Sequence, residues 1–229
     1  DNLYFDLNTN PTLPYTDYER TLERRSILCS THKQVKECKL LTITLGLIEV
    51  WYDKELDLYL NTTPPNKLIL KFPNRYELRI TNYEDNLSNL EKLYLILKKF
   101  CCEDIEIVIT VSPVPLLATF SGNDIVIANA YSKSTLRAVA ETWSNMHSNV
   151  HYFPSYEMVI NSNQKLAWEE DRRHVKGALT QYIMEVFKKN YLQDYNNWQQ
   201  KMPILEEKFD RNIDGKYFFD MKNTLDTQK

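Results

Sequence analysis

The chain has 229 residues, 43% apolar and 26% charged, with a net charge of −3 and a pI near 5.9. That length suits one domain with an appendage at about 100–200 residues per domain, and apolar residues alternate with charged ones throughout, which excludes a disordered chain. Lysines and arginines are scattered among acids, so no broad basic face for nucleic acid is expected.

No apolar run reaches the ~18–20 residues needed to cross a bilayer, so no membrane insertion is expected. The cysteines are Cys29, Cys38, Cys101 and Cys102. They show no C-x2-C spacing for zinc, and adjacent cysteines rarely bridge each other. Thiols in a reducing compartment follow, and a cytoplasmic location with them. The first residue is Asp1 and not Met, so further sequence is expected upstream.

Residues 1–18 are rich in turn residues and aromatics and read as an irregular lead-in. From Tyr18 to about Glu37 a helix is predicted, with Leu22, Ile27 and Val35 among many charges. KLLTITLG (39–46) is a nearly continuous apolar run stopped by Gly46, which predicts a strand buried on both faces. LIEVWYD (47–53) reads as a loop or short helical turn. Residues 57–80, with Pro64, Pro65 and Pro73, read as an excursion with short extended pieces.

Over 81–100 a helix is predicted, opened by Thr81 and Glu84 in a capping-box pattern, with Leu87, Leu90, Tyr94 and Leu97 at helical spacing. IEIVITVSPVP (105–115) predicts a second buried strand ended by prolines. A helix follows over 130–147, with Leu136, Val139, Ala140 and Trp143 on one face, then a short strand, NVHYF (149–153). The last predicted helix spans 174–191, with Leu179, Tyr182, Ile183, Val186 and Phe187 as its stripe. Residues 1–191 are taken as the α/β domain and 192–229 as a C-terminal extension whose Trp198, Phe209, Phe218 and Phe219 suit docking.

Strands alternating with helices imply a parallel sheet covered by helices on both faces, with ligands at the carboxyl ends of the strands. The residues to inspect are therefore Gly46–Trp51, Ser112–Pro115, Pro154–Glu157 and Asp171–His174. Asp171 and His174 are three apart; on a helical turn they would face the same way, and a carboxylate there holds an imidazole tautomer for proton transfer. A plain capping Asp beside a surface His has the same spacing. Gly46 permits a sharp turn that offers backbone N–H groups to an oxyanion, or simply ends a strand. Ser112 and Ser155 follow strands but lack the G-x-S-x-G elbow that exposes a nucleophile. Glu49 and Glu157 are a candidate carboxylate pair of the glycosidase sort. His147 and His151 straddle a helix-to-strand turn, where nothing aligns them as metal ligands, and His32 has no partner nearby. With four glycines and no phosphate-cradling loop, no cofactor and no metal are expected.

TLGLIEVW (44–51), ITVSPVPLLATFSG (109–122), ANAYSKSTLRAVAE (128–141), HYFPSYEMV (151–159) and DRRHV (171–175) resemble the successive motifs of the GSCFA-domain family, itself similar to the SGNH hydrolases. The resemblance implies a flavodoxin-like, three-layer α/β/α fold with a mostly parallel sheet. It implies ester hydrolysis or acyl transfer, with Asp171 as the orienting acid, His174 as the general base and Gly46 as an oxyanion-hole glycine. Glu49, Trp51, Ser112, Ser155, Tyr156 and Glu157 are then expected to line the substrate, an acylated carbohydrate or small ester.

Two departures stand out. The Gly-Ser-Cys-Phe-Ala stretch that carries the family's nucleophilic serine is absent, so the nucleophile and the first strand are expected upstream of Asp1. On its own this chain is then expected to be marginally stable, or to re-pair its sheet around the gap. Ile48 stands where the family usually has Thr, and an apolar side chain donates no hydrogen bond. The alternative to an esterase or acyltransferase is an inactive relative that binds a glycan or a protein.

Overall fold

A computed structural model describes residues 3–9 and 13–192, so the aromatic positions expected to dock beyond them lie outside the described residues. In chain order the elements are α1 (Tyr18–Lys33), β1 (Leu40–Leu45), β2 (Glu49–Asp53), β3 (Leu58–Leu60), α2 (Asn66–Lys71), β4 (Tyr76–Ile80), α3 (Tyr83–Phe100), β5 (Glu106–Val111), α4 (Ile125–Met146), β6 (Val150–Tyr152), α5 (Ser155–Ile160), α6 (Gln164–Ala167) and α7 (Gly177–Tyr191). The fold is mixed α/β, with one parallel and one antiparallel sheet. The chain forms two compact units, Asp1–Thr110 with Leu116–Tyr152, and Val111–Pro115 with Phe153–Lys229. No helix among the described residues is long and apolar enough to cross a membrane.

In the first unit the parallel sheet has the order β1-β5-β6. β5 is central, pairing with β6 in the register Ile107↔Val150, Val108↔His151, Ile109↔Tyr152. A central parallel strand is covered on both faces, which is why its run is apolar without alternation, and Ile107, Val108 and Ile109 are wholly buried. β1 has a similar composition but lies at the end of the strand order. The expected burial on both faces is not found there: Thr42 and Thr44 are exposed, and no residue of β1 is fully buried. An edge strand has a neighbour on one side only, and that difference is invisible in its composition.

α4 starts where the Asp124 side chain accepts the Val126 N–H, satisfying one of the first-turn donors. One face of the helix is buried through Ala128, Ser132, Lys133, Leu136, Val139, Ala140 and Trp143. α3 is capped one residue later than the sequence suggests. Asn82 and Asp85 form the reciprocal box, because Thr81 is engaged elsewhere: its N–H and hydroxyl both donate to the Ile48 carbonyl, at 2.9 and 3.0 Å.

The antiparallel sheet, ordered β3-β2-β4, corrects the reading of residues 47–53 as a loop or helical turn. β2 pairs with β4 from Glu49↔Ile80 to Asp53↔Tyr76, and with β3 on its other side. Pairing on both edges decides the conformation of a segment whose own pattern is ambiguous. At its end Asp53 is 1% exposed and receives Arg75 Nε at 3.0 and 2.9 Å, one per oxygen, and Arg75 Nη2 at 2.6 Å. The Glu55 and Leu56 N–H groups donate to the same carboxylate.

The second unit holds α5, α6 and α7. Phe153, Phe187 and Tyr191 pack ring on ring, with centroids 5.1–6.0 Å apart, and Val159, Leu179 and Ile183 are buried. α7 begins at Gly177 and not at His174 as expected. The Lys176 N–H donates to the Ala167 carbonyl at 2.8 Å, so the residues before it close a loop instead of a helical turn.

Burial pushes the Asp53 carboxyl up, but the Arg75 side-chain bonds and the two backbone donors outweigh it, and it lies below its ordinary value. A carboxyl lowered on folding stabilises fully above its unfolded value of about 3.9. That stabilisation is lost as pH falls through the lower folded value. Arg75→Ala leaves the buried carboxylate without its cation, with only the Glu55 and Leu56 N–H groups to hold it, and is expected to cost about 3 kcal/mol, read from urea unfolding at pH 7; a loss below about 1 kcal/mol would contradict this role.

Candidate active site

Asp171 and His174 sit on a tight loop between Trp168 and Val175, which form an antiparallel bridge. The Glu169 N–H donates to the His174 carbonyl at 2.8 Å and the Arg172 N–H to the Glu169 carbonyl at 3.0 Å. Arg172 adopts φ +53°, in the left-handed region, which costs a side chain other than glycine about 1–2 kcal/mol. The loop is held by Asp171 itself. Its Oδ1 accepts the N–H groups of Arg173 and His174 at 2.9 and 3.0 Å, leaving Oδ2 for His174 Nδ1 at 2.5 Å. The two residues do meet, as expected, but through a side-chain-capped turn and not on a helix.

The backbone N–H of His174, then its ring, then the Arg173 N–H hold the Asp171 carboxyl far below the usual carboxylate range. The side chains are 49% and 62% exposed, so water screens their attraction. What the carboxylate delivers is orientation. It fixes the ring and draws the proton to Nδ1, leaving the Nε2 lone pair as the base. Arg173 Nη1 stands 3.5 Å from that Nε2, and Arg173 Nε is buried with no partner among the described residues. Arg173 has no signal in the sequence beyond its adjacency to His174.

The same unit holds Ser112, Ser155, Tyr156 and Glu157. Ser112 Oγ accepts the Val114 N–H at 3.3 Å, and Ser155 Oγ donates to the Val111 carbonyl at 3.4 Å. Among the described residues the side-chain partners of the His174 ring are Asp171 and Arg173, and no serine hydroxyl reaches it. Tyr156 and Glu157 lie in the first turn of α5, where burial and then the Glu157 charge raise the Tyr156 phenol above its ordinary value.

Gly46, Glu49 and Trp51 belong to the first unit. Gly46 follows β1, and a Cβ added there would meet nothing within 4 Å. Its carbonyl accepts Lys133 Nζ at 2.9 Å, and two residues on the Ile48 N–H donates to Ser132 Oγ at 3.1 Å. The Ile48 side chain is 1% exposed and faces the core, which is why an apolar residue suits that position. Glu49 accepts the Thr119 hydroxyl at 2.5 Å and the Phe120 N–H at 3.1 Å. Trp51 meets Phe120 edge-on at 5.9 Å. Both Glu49 oxygens therefore anchor the stretch after β5. Ser132 and Lys133 were legible only as two polar residues set among Leu136, Val139 and Ala140 at helical spacing.

Among the described residues no group of three His, Cys, Asp or Glu side chains is placed to hold a metal. His147 pairs with Glu91 and stacks on Tyr94, and His151 pairs with Glu106.

Residues 1–187 match the GSCFA family along that whole span. The chain belongs to the GSCFA family. No curated protein and no solved structure matches it. The Asp171–His174 loop, Gly46 and the Ser132–Lys133 pair all fall inside the span matched to GSCFA.

Ring 15N spectra of His174 at neutral pH are expected to show the proton on Nδ1, and Asp171→Asn to shift the population toward Nε2–H. An unchanged tautomer would remove the orienting role from Asp171. Gly46→Ala is expected to leave unfolding free energy within about 0.5 kcal/mol of the parent, as for substitutions that touch nothing; a loss of several kcal/mol in urea would show that the glycine serves the fold.

Proposed function

We propose that this GSCFA protein is an SGNH-like ester hydrolase or O-acyltransferase acting on acylated glycans or other esters. The observation that supports it is the Asp171 carboxylate bound to His174 Nδ1, which leaves Nε2 for proton transfer. In this reading a serine hydroxyl attacks the ester carbonyl and gives its proton to Nε2. The imidazolium returns the proton to the departing alcohol. The acyl group then passes to water, or to a second alcohol in transfer. The loop at Gly46 supplies backbone N–H groups to the oxyanion, and Glu49, Trp51, Ser112, Ser155, Tyr156 and Glu157 contact the substrate. The serine lies outside these 229 residues, in keeping with a His174 that no described serine reaches. The four free thiols support a reducing, cytoplasmic setting.

The second reading, an inactive GSCFA relative that binds a glycan or protein, draws on that same His174, whose ring no described serine reaches. A fluorophosphonate probe separates the two. Applied to the 229-residue chain and to the chain extended upstream of Asp1 along its natural sequence, it is expected to label only the extended protein. His174→Ala is expected to abolish the label, and Asp171→Asn to slow it by about 10⁴-fold, as when a triad carboxylate is lost. No labelling of either form would discard the hydrolase reading in favour of binding.

A further inference from the structure

Lys133 is 1% exposed, and among the described residues no carboxylate pairs with it. Burying an ammonium is costly unless it is compensated, and burial lowers this amine to about 8. Its described hydrogen bond goes to the Gly46 carbonyl, although the group has three donors. Ser132, its neighbour on α4, is wholly buried and takes the Ile48 N–H. Consecutive residues of one helix thus grip the main chain on both sides of Leu47.

That grip has a direction. No peptide bond of the described chain is cis, and in a trans peptide the N–H points opposite to the carbonyl of the same unit. With the Gly46 carbonyl turned onto the buried amine, the Leu47 N–H points away from it. Leu47 is 42% exposed, and among the described residues its N–H has no hydrogen-bond partner. A Cβ added at Gly46 would meet nothing within 4 Å, so no neighbour crowds that α-carbon. A peptide group whose carbonyl is bound by a cation is polarised, and its N–H becomes a stronger donor, by about 10–30% per bond in a chain of hydrogen bonds.

We propose that Lys133 and Ser132 are positioning residues that aim and polarise the Leu47 N–H as a hydrogen-bond donor to the developing oxyanion of an ester carbonyl. The inference rests on the hydrolase reading and adds to it the donor and the groups that set it. Neither Lys133 nor Ser132 touches the substrate. Lys133 sits at the carbonyl end of the peptide unit and acts through it, and the two hydrogen bonds fix the plane before substrate arrives, so no reorganisation is needed during reaction.

The test uses the upstream-extended protein with p-nitrophenyl acetate as substrate, comparing the parent, His174→Ala and Lys133→Met. A fourth protein carries the α-hydroxy acid analogue of leucine at position 47, which replaces the N–H by an ester oxygen, weakens the Gly46 carbonyl as an acceptor and leaves every side chain in place. Loss of one oxyanion donor lowers kcat by about 10²–10³-fold, and this is expected for the Leu47 analogue. Lys133→Met is expected to lower kcat by about tenfold or more with KM within about twofold, and to move the Leu47 amide proton upfield, the signature of a weaker donor. If His174→Ala is inactive while Lys133→Met and the Leu47 analogue keep parental kcat, the inference falls and the hydrolase reading stands. If the parent itself shows no turnover, the hydrolase reading falls and takes this role with it. Should Lys133→Met not fold, the Leu47 analogue decides the matter alone, because it alters no buried side chain.

Discussion

The main chain of Ile48 is tied on both sides. Its N–H is taken by Ser132 from α4, and its carbonyl by the N–H and hydroxyl of Thr81 at the start of α3. Ile48 is also the point where the chain leaves β1 for β2, and so passes from the parallel sheet to the antiparallel one. Buried main-chain groups must find partners. Here those partners come from two helices distant in sequence, so strand exit, helix entry and sheet change are set by one cluster of hydrogen bonds. Removing the Ser132 hydroxyl would leave the buried Ile48 N–H unpaired, at about 1–3 kcal/mol, whereas the Thr81 N–H would still hold the Ile48 carbonyl without the Thr81 hydroxyl. The side chain of Ile48 closes the same junction by filling the core beneath it.

The Asp171 loop solves a different problem, that of holding an imidazole still while it is largely in water. Exposure deprives the ion pair of most of its strength, so rigidity comes from the backbone. Two N–H groups on one carboxylate oxygen and the bridge between Trp168 and Val175 determine where the second oxygen points. Arg172 in the left-handed region shows how tightly the turn is wound. Such strain persists only where surrounding bonds over-determine the conformation.

Much of this was readable from the residues. The helices at Tyr18–Lys33, Tyr83–Phe100 and Ile125–Met146 and the strands at Leu40–Leu45 and Glu106–Val111 were announced by period, caps and apolar runs. The Asp171–His174 contact followed from spacing, although by way of a loop. What failed did so for physical reasons. β2 is a strand because β3 and β4 flank it, a fact located at other positions in the chain. Thr81 looked like a cap because its competing partner, the Ile48 carbonyl, is 33 residues away. Burial on both faces was inferred for β1 from composition, whereas composition reports what a strand would tolerate and not which neighbours it has. Lys133 could be seen as a lysine on an apolar helix face, but its partner is 87 residues upstream.

The position of β1 at the end of its sheet carries a consequence for handling the protein. LLTITL is a six-residue segment with high strand propensity, no charge and no proline, the composition that stacks in register between identical chains. Natural edge strands are usually guarded by lysine, proline, a bulge or an overlying segment. Within β1 itself the outward positions Thr42 and Thr44 supply none of the guarding side chains. Wherever that rim stays uncovered, concentration and not temperature alone sets how long the protein remains monodisperse. Self-association is then governed by a short stretch far in sequence from the Asp171–His174 loop.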